Sequence, residues 1–344
     1  MLRTLTTFAL SLILLNGCAE SFDPEPHLQL GLKYKVTIER DYLGVPHIHG
    51  KRDIDTAFGF AYAQAEDSWE LIQDSIAIYS GTAAKLKGAD AAPGDFLVKW
   101  LGVWETLDDD YAKLLSQETR AYVEAYADGI NYFAALHPEQ INGALLPISG
   151  KDIVAGFMLR HLLFYGFDAV IGELTGDARQ REISRSDGVE FNGLPIGSNA
   201  FAVSPGFGED EATRLAINSH QPTTGPVAWY EAHIQSDEGL NIMGGTFPGS
   251  PNISLGFTAN LAWGVTVNKP DLSDVFVLDT DPNDPLRYRL DDEWLTLEAR
   301  DLDIEVRLLG FLPWTVTRQG LRSKHGPVLQ TEHGTYAVRY AGMG

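Results

Sequence analysis

The chain has 344 residues, 44% of them hydrophobic, enough to bury a substantial core in one large domain or two ordinary ones. Its 47 acidic against 26 basic side chains give a formal charge of −21. That balance excludes a nucleic-acid partner gripped by basic patches and adsorption to anionic lipid through surface charge. One cysteine, Cys18, excludes an intrachain disulfide.

In chain order, residues 1–17 read as an export signal. Arg3 supplies the positive start, and 8–15 (FALSLILL) is an apolar stretch too short to span a bilayer. Leu15-Asn16-Gly17-Cys18 resembles a bacterial lipobox, with Cys18 as the lipidated first residue of the mature chain. The expectation is a lipoprotein of the periplasm or outer membrane of a Gram-negative bacterium, tethered to its membrane by an N-terminal lipid. An ordinary signal peptide with a cysteine at its cleavage site is the competing reading. Residues 18–33 form a linker.

Residues 34–40 (YKVTIER) alternate as a strand, followed by the turn-like Gly44-Val45-Pro46. From Asp55 the period changes. Phe58, Tyr62, Ala65, Trp69, Ile72, Ile76 and Tyr79 recur at spacings of three and four, the core-facing stripe of a helix with Asp55 as N-cap and Gly81 as stop. Further helices are expected over 118–136 and 151–164, so 34–174 is a helix-rich region. Residues 175–197 turn polar and aperiodic, as a spacer does. From 198 to 344, glycines and prolines punctuate short strand candidates at 199–203, 214–218, 229–235, 240–244, 262–267, 275–278, 304–309 and 336–340. Helix-rich then strand-rich halves predict an α+β fold.

No G-x-S-x-G elbow, H-E-x-x-H pair or glycine-rich phosphate loop is present, and the nine histidines lack metal-ligand spacing. The spacer ends at Gly197-Ser198, within LPIGSNAFAV (194–203). A serine after a flexible glycine and before an apolar run suits self-cleavage. Its hydroxyl attacks the upstream carbonyl, an ester forms, and water releases a new N-terminus. The freed α-amine, with an unperturbed pKa of about 7.7–8, can act as base for its own hydroxyl. A simple turn before a strand has the same dipeptide. Three later segments bear on the choice. His220, in NSHQP (218–222), stands at a strand end, within reach of a nucleophile or as a structural histidine. Residues 260–268 (NLAWGVTVN) read as a buried strand whose last N–H groups face a reaction centre. Asp271-Leu272-Ser273-Asp274 offers hard oxygen ligands for Ca²⁺, or is a solvated turn.

Together with DYLGVPHIHG (41–50), DTAFGFAYAQAEDSWEL (55–71), WYEAHI (229–234) and GGTFPGSPNISLGFTANLAWGVTVN (244–268), these blocks resemble the penicillin amidase family of N-terminal-nucleophile hydrolases. The resemblance runs from about Val36 to the end of the chain. It implies a four-layer αββα sandwich, incomplete in this chain, and an α/β heterodimer cut from one precursor that hydrolyses a small-molecule linear amide. It makes Ser198 the nucleophile, Gly197 the residue before the cut, His220 the neighbour of the serine and the Val267 N–H an oxyanion donor. Gln221, Leu255 and Val265 match substrate-binding positions. Glu173, Asp271, Ser273 (through its carbonyl) and Asp274 match a structural Ca²⁺ site. Gln221 departs from the aromatic residue that family members often place in the acyl pocket. The family's second oxyanion donor, an asparagine, falls beyond Gly344, so the chain is expected to be the N-terminal part of a longer precursor. Penicillins, acyl-homoserine lactones and lipopeptides remain open as substrates. The alternatives are a lipid-anchored binding protein that keeps the fold without chemistry, and a serine esterase with an internal triad.

Overall fold

The aromatic stripe folds as one long helix, Asp53–Tyr79, in a computed structural model of the chain that describes residues 22–164, 167–176, 189–191, 194–208, 212–267, 272–310 and 312–341. Phe58, Ala65, Trp69, Ile72 and Ile76 are buried, with Tyr62 and Tyr79 at the half-buried margin. The N-terminus differs from the expectation. Arg52 is the N-cap and Asp55 sits at N3, where its carboxylate accepts the Arg52 backbone N–H at 3.0 Å. An acidic N3 residue reaching back to the cap closes the first turn from inside. Ser68 leaves helical geometry (φ −142°, ψ 32°) and kinks the helix midway.

A second helix, Gln117–Leu136, packs across the first, and its Ser116 cap accepts the Thr119 N–H at 3.1 Å. The first helix lies on a six-stranded sheet ordered Val36–Arg40, Pro46–Gly50, Tyr230–Ser236, Asn241–Thr246, Leu255–Phe257, Ala262–Trp263, and the second stacks on the first. Ile48, Ala232, Ile234 and Ile253 meet Phe58, Phe60, Tyr126 and Ile130 in the shared core. Pro46–Gly50 runs parallel to Tyr230–Ser236. The chain before the 197/198 junction and the chain after it therefore share one sheet.

Residues 273–340 build a separate seven-stranded antiparallel sheet. Helices Ala92–Leu101 and Val103–Leu114 cover it through Trp100, Leu101, Val103 and Leu107 against Leu302, Val338 and Tyr340. The Trp100 indole donates to the Val328 carbonyl at 3.1 Å, and the Tyr340 hydroxyl to that of Leu101 at 3.2 Å. The junction lies on a three-stranded antiparallel sheet of Val189–Phe191, Leu194–Val203 and Arg214–His220. The chain thus mixes helix and sheet, as expected. The strand expected at 262–267 is shorter, covering only Ala262–Trp263. Among the described residues no helix is long and apolar enough to cross a membrane. The export segment and Cys18 lie outside the described residues.

Candidate active site

Strand pairing builds the site. Leu194–Val203 and Arg214–His220 pair with Gly197 opposite His220, Ser198 opposite Ser219 and Asn199 opposite Asn218. The Ser198 hydroxyl donates to the Gly197 carbonyl oxygen at 2.5 Å, so it rests on the peptide unit whose carbonyl it would attack. A Cβ at position 197 would lie 3.0 Å from His220 Nδ1, tighter than side chains normally tolerate. Glycine leaves room for the imidazole beside residue 197.

Two amides set the state of that ring. Asn199 Nδ2 lies 3.2 Å and Asn218 Nδ2 3.3 Å from His220 Nε2. With amide N–H groups donating to Nε2, the neutral ring carries its proton on Nδ1, the atom facing Gly197. Neither asparagine stands out in the sequence, although both lie in the GSNAFAV and NSHQP blocks. Their signal is positional, since the antiparallel register brings them to one atom.

The segment carrying Val265 and Val267 meets the histidine strand at Gly264. A Cβ there would come within 2.0 Å of the Ile217 side chain, so only a bare backbone fits against that strand. Trp263, whose indole donates to the Ser254 carbonyl at 3.1 Å, holds the segment from the other side. Val267 is half-buried and Val265 is exposed. The turn leading here is anchored by buried Gln64, which donates to the Ser250 carbonyl at 3.0 Å and accepts the Gly249 N–H at 2.8 Å. Arg160 adds bonds to the Pro248 carbonyl at 3.3 Å and to the Ser250 hydroxyl.

Leu255 and Trp229 approach each other across Gly245, where a Cβ would lie 3.7 Å from Leu255 Cδ1 and 3.3 Å from the indole. Trp229 also stacks on Phe247 at 4.6 Å and 23°. Among the described residues, the Trp229 indole nitrogen and Gln221 Oε1 are buried without a hydrogen-bond partner. Sequence reasoning passes over Trp229 as a site residue, and its WYEAHI block is the available cue. The residues matched to calcium behave differently. Glu173 is on the helix Phe167–Thr175, whereas Ser273 and Asp274 open the strand Ser273–Asp281, and Asp271 lies outside the described residues. No group of three or more His, Cys, Asp or Glu side chains able to hold a metal ion is present among the described residues.

The penicillin amidase family model matches residues 35–344. The chain belongs to the penicillin amidase family. Relatives within it include an acyl-homoserine lactone acylase of Pseudomonas fluorescens strain Pf0-1, 28% identical, with 92% of this chain and 43% of the relative aligned. The aculeacin-A acylase of Actinoplanes utahensis is 24% identical over 86% of this chain and 41% of its own length. A solved neighbour is the thermostable penicillin G acylase of Alcaligenes faecalis, with TM-score 0.35 and 24% identity over 42% of this chain and 26% of the other. This penicillin amidase family member thus spans less than half the length of the curated relatives it matches.

Proposed function

We propose that this chain forms part of a self-processing acylase that hydrolyses a linear amide through Ser198. The register of Gly197, Ser198 and His220 carries the reading, because it joins the hydroxyl, the carbonyl it would attack and an imidazole donor at one peptide bond. Family membership supports the reaction class.

In the first step the Ser198 oxygen adds to the Gly197 carbonyl carbon. The tetrahedral adduct then collapses with loss of the C–N bond to Ser198, the hydroxyl proton passes to the departing nitrogen, and water hydrolyses the ester that results. In this reading His220 Nδ1–H donates toward that peptide while it rearranges. The freed α-amine becomes the base for the same hydroxyl, as in other N-terminal nucleophiles. An incoming acyl amide is attacked in turn, its nitrogen leaves protonated, and water releases the acid from the acyl-enzyme. The Val267 N–H is the oxyanion donor in this reading, a kind of contact whose loss costs about 10²–10³ in rate. Leu255, Trp229 and Val265 offer apolar surface to the acyl group, and Gln221 adds a carbonyl acceptor beside it. The four-layer fold, the two-chain product, and export with lipidation at Cys18 belong to the same proposal. Calcium held by Glu173, Asp271, Ser273 and Asp274 would be structural in this reading and enters no step.

Ser198→Ala tests the proposal. The variant stays in one piece and is inactive on acyl amides. A variant still cut between 197 and 198 overturns the self-processing account.

A further inference from the structure

His47 and His233 face each other across the parallel pair Pro46–Gly50 and Tyr230–Ser236, where they are register partners. Their Nδ1 atoms are 3.0 Å apart and their rings stand at 83°. The outer nitrogens define what lies between them. His233 Nε2 meets Asn241 Oδ1 at 2.8 Å, an oxygen that can only accept, so this nitrogen bears the proton. His47 Nε2 faces the Asp41 carboxylate at 3.7 Å, likewise an acceptor. That carboxylate is fixed by the N–H groups of Leu43 and Val45, both at 2.9 Å. The Asp41 contact is longer than a hydrogen bond but favours a proton on His47 Nε2, and in that tautomer the two inner lone pairs point at each other; with the His47 proton on Nδ1 the rings share one N–H···N hydrogen bond. A metal ion can take the place of that bridging proton and accept both inner lone pairs.

We propose that His47 and His233 bind a borderline divalent cation of the Zn²⁺ class. Acceptors on the outer nitrogens fix the tautomer and aim the inner lone pairs, the arrangement that orients metal-binding histidines. At Zn–N bonds of about 2.0–2.1 Å, two tetrahedral ligands stand ~3.3 Å apart, so the rings need part by only a few tenths of an ångström. Imidazole donors without thiolate suit zinc, copper or nickel rather than calcium. Asp41 lies beyond His47 and orients it, so the protein supplies two nitrogen ligands and water completes the shell. The His47 side chain is 38% exposed, which leaves a path for entry. His49 is two residues along the same strand, with its Nε2 3.0 Å from Asp237, and among the described residues has no such partner ring. The placement has a consequence that rests on the Ser198 reading. His47 precedes the junction and His233 follows it, so the bound ion joins the two chains that cleavage produces.

The test is calorimetric titration of chelator-stripped protein with ZnCl₂ at neutral pH. Wild type and His49→Gln each take up one more zinc equivalent than His47→Gln or His233→Gln, and zinc raises the melting temperature only in the first two. Equal zinc uptake by wild type and both His variants, or none by wild type, overturns the proposal and leaves a proton between the rings. The wild-type histidine ¹⁵N spectrum probes the site without substitution. Zinc moves two Nδ1 resonances if the site exists, and an unchanged spectrum contradicts it. None of these readouts depends on cleavage at 197/198, so the metal site and the self-processing account fail separately.

Discussion

His220 shows how much chemistry depends on one proton. Its Nε2 is occupied by the amides of Asn199 and Asn218, which directs Nδ1–H toward Gly197. His220→Ala is expected to slow cleavage by about 10²–10⁴, the usual range for a positioned proton donor. Asn199→Asp replaces a donor with an acceptor, draws the ring proton to Nε2 and slows cleavage too. Gel densitometry over time measures both, and wild-type rates in the two variants would contradict the assignment. Asp55 is the clearest titrating group. Burial raises its pKa, but the Arg52 guanidinium at 2.6 and 3.1 Å and the N–H groups of Lys35 and Arg52 outweigh this and hold the carboxyl below its ordinary value. A depressed folded pKa adds stability that is complete above the unfolded value of about 3.9 and is lost as pH falls through the folded one. Asp55→Asn should therefore be less stable than wild type at neutral pH, with the gap closing below about pH 3.9. Denaturant melts across that range check this, and a gap independent of pH would refute it.

Helices and turns carry the site to its place. The turn after Thr246 is tied to the long helix by Gln64, whose amide satisfies the Gly249 N–H and the Ser250 carbonyl. Gln64→Leu leaves those backbone groups unpaired in a buried place and should cost about 1–3 kcal/mol for each, measured by urea unfolding. Gly264→Ala drives a methyl into Ile217 and should cost about 1–3 kcal/mol, the usual penalty of overpacking. Trimming the neighbour in Gly264→Ala/Ile217→Ala should recover part of the loss, and simple additivity of the two substitutions would argue against direct contact. These elements also show what the sequence could and could not reveal. The helix 53–79 is legible because its apolar residues repeat at helical spacing over seven positions. Its kink at Ser68 is not, since no proline or glycine marks it. The helices Ala83–Lys87, Ala92–Leu101 and Val103–Leu114 escape the sequence pattern because each is short and separated by a left-handed glycine, Gly88 (φ 91°) or Gly102 (φ 78°). The strand at 262 reads long in sequence but ends at Trp263. Next to it Gly264 presses its backbone on Ile217, a constraint set by a strand far away in the chain. In the same way the Ser198 and His220 motifs are visible one at a time, while the asparagine pair on the ring requires the register.

At the scale of the whole molecule, the 197/198 bond lies between halves that are already interlocked. Pro46–Gly50 pairs with Tyr230–Ser236, and the helix Ala92–Leu101 is bonded to strands beyond residue 298. Cleavage there would divide the chain without dividing the shared sheet, and both products should co-purify under native conditions. Helical and strand regions are separable by eye, but their mutual embedding is not, because parallel pairing between distant segments leaves no local pattern. In the proposed reading Ser198 becomes an N-terminal nucleophile by cutting its own chain. Intact-mass spectrometry of the protein expressed from its own gene tests this most directly, set beside the Ser198→Ala variant. The wild type should give two chains, one of them beginning at Ser198, and the variant a single uncut chain. An uncut wild type, or a variant cut at the same bond, would contradict it.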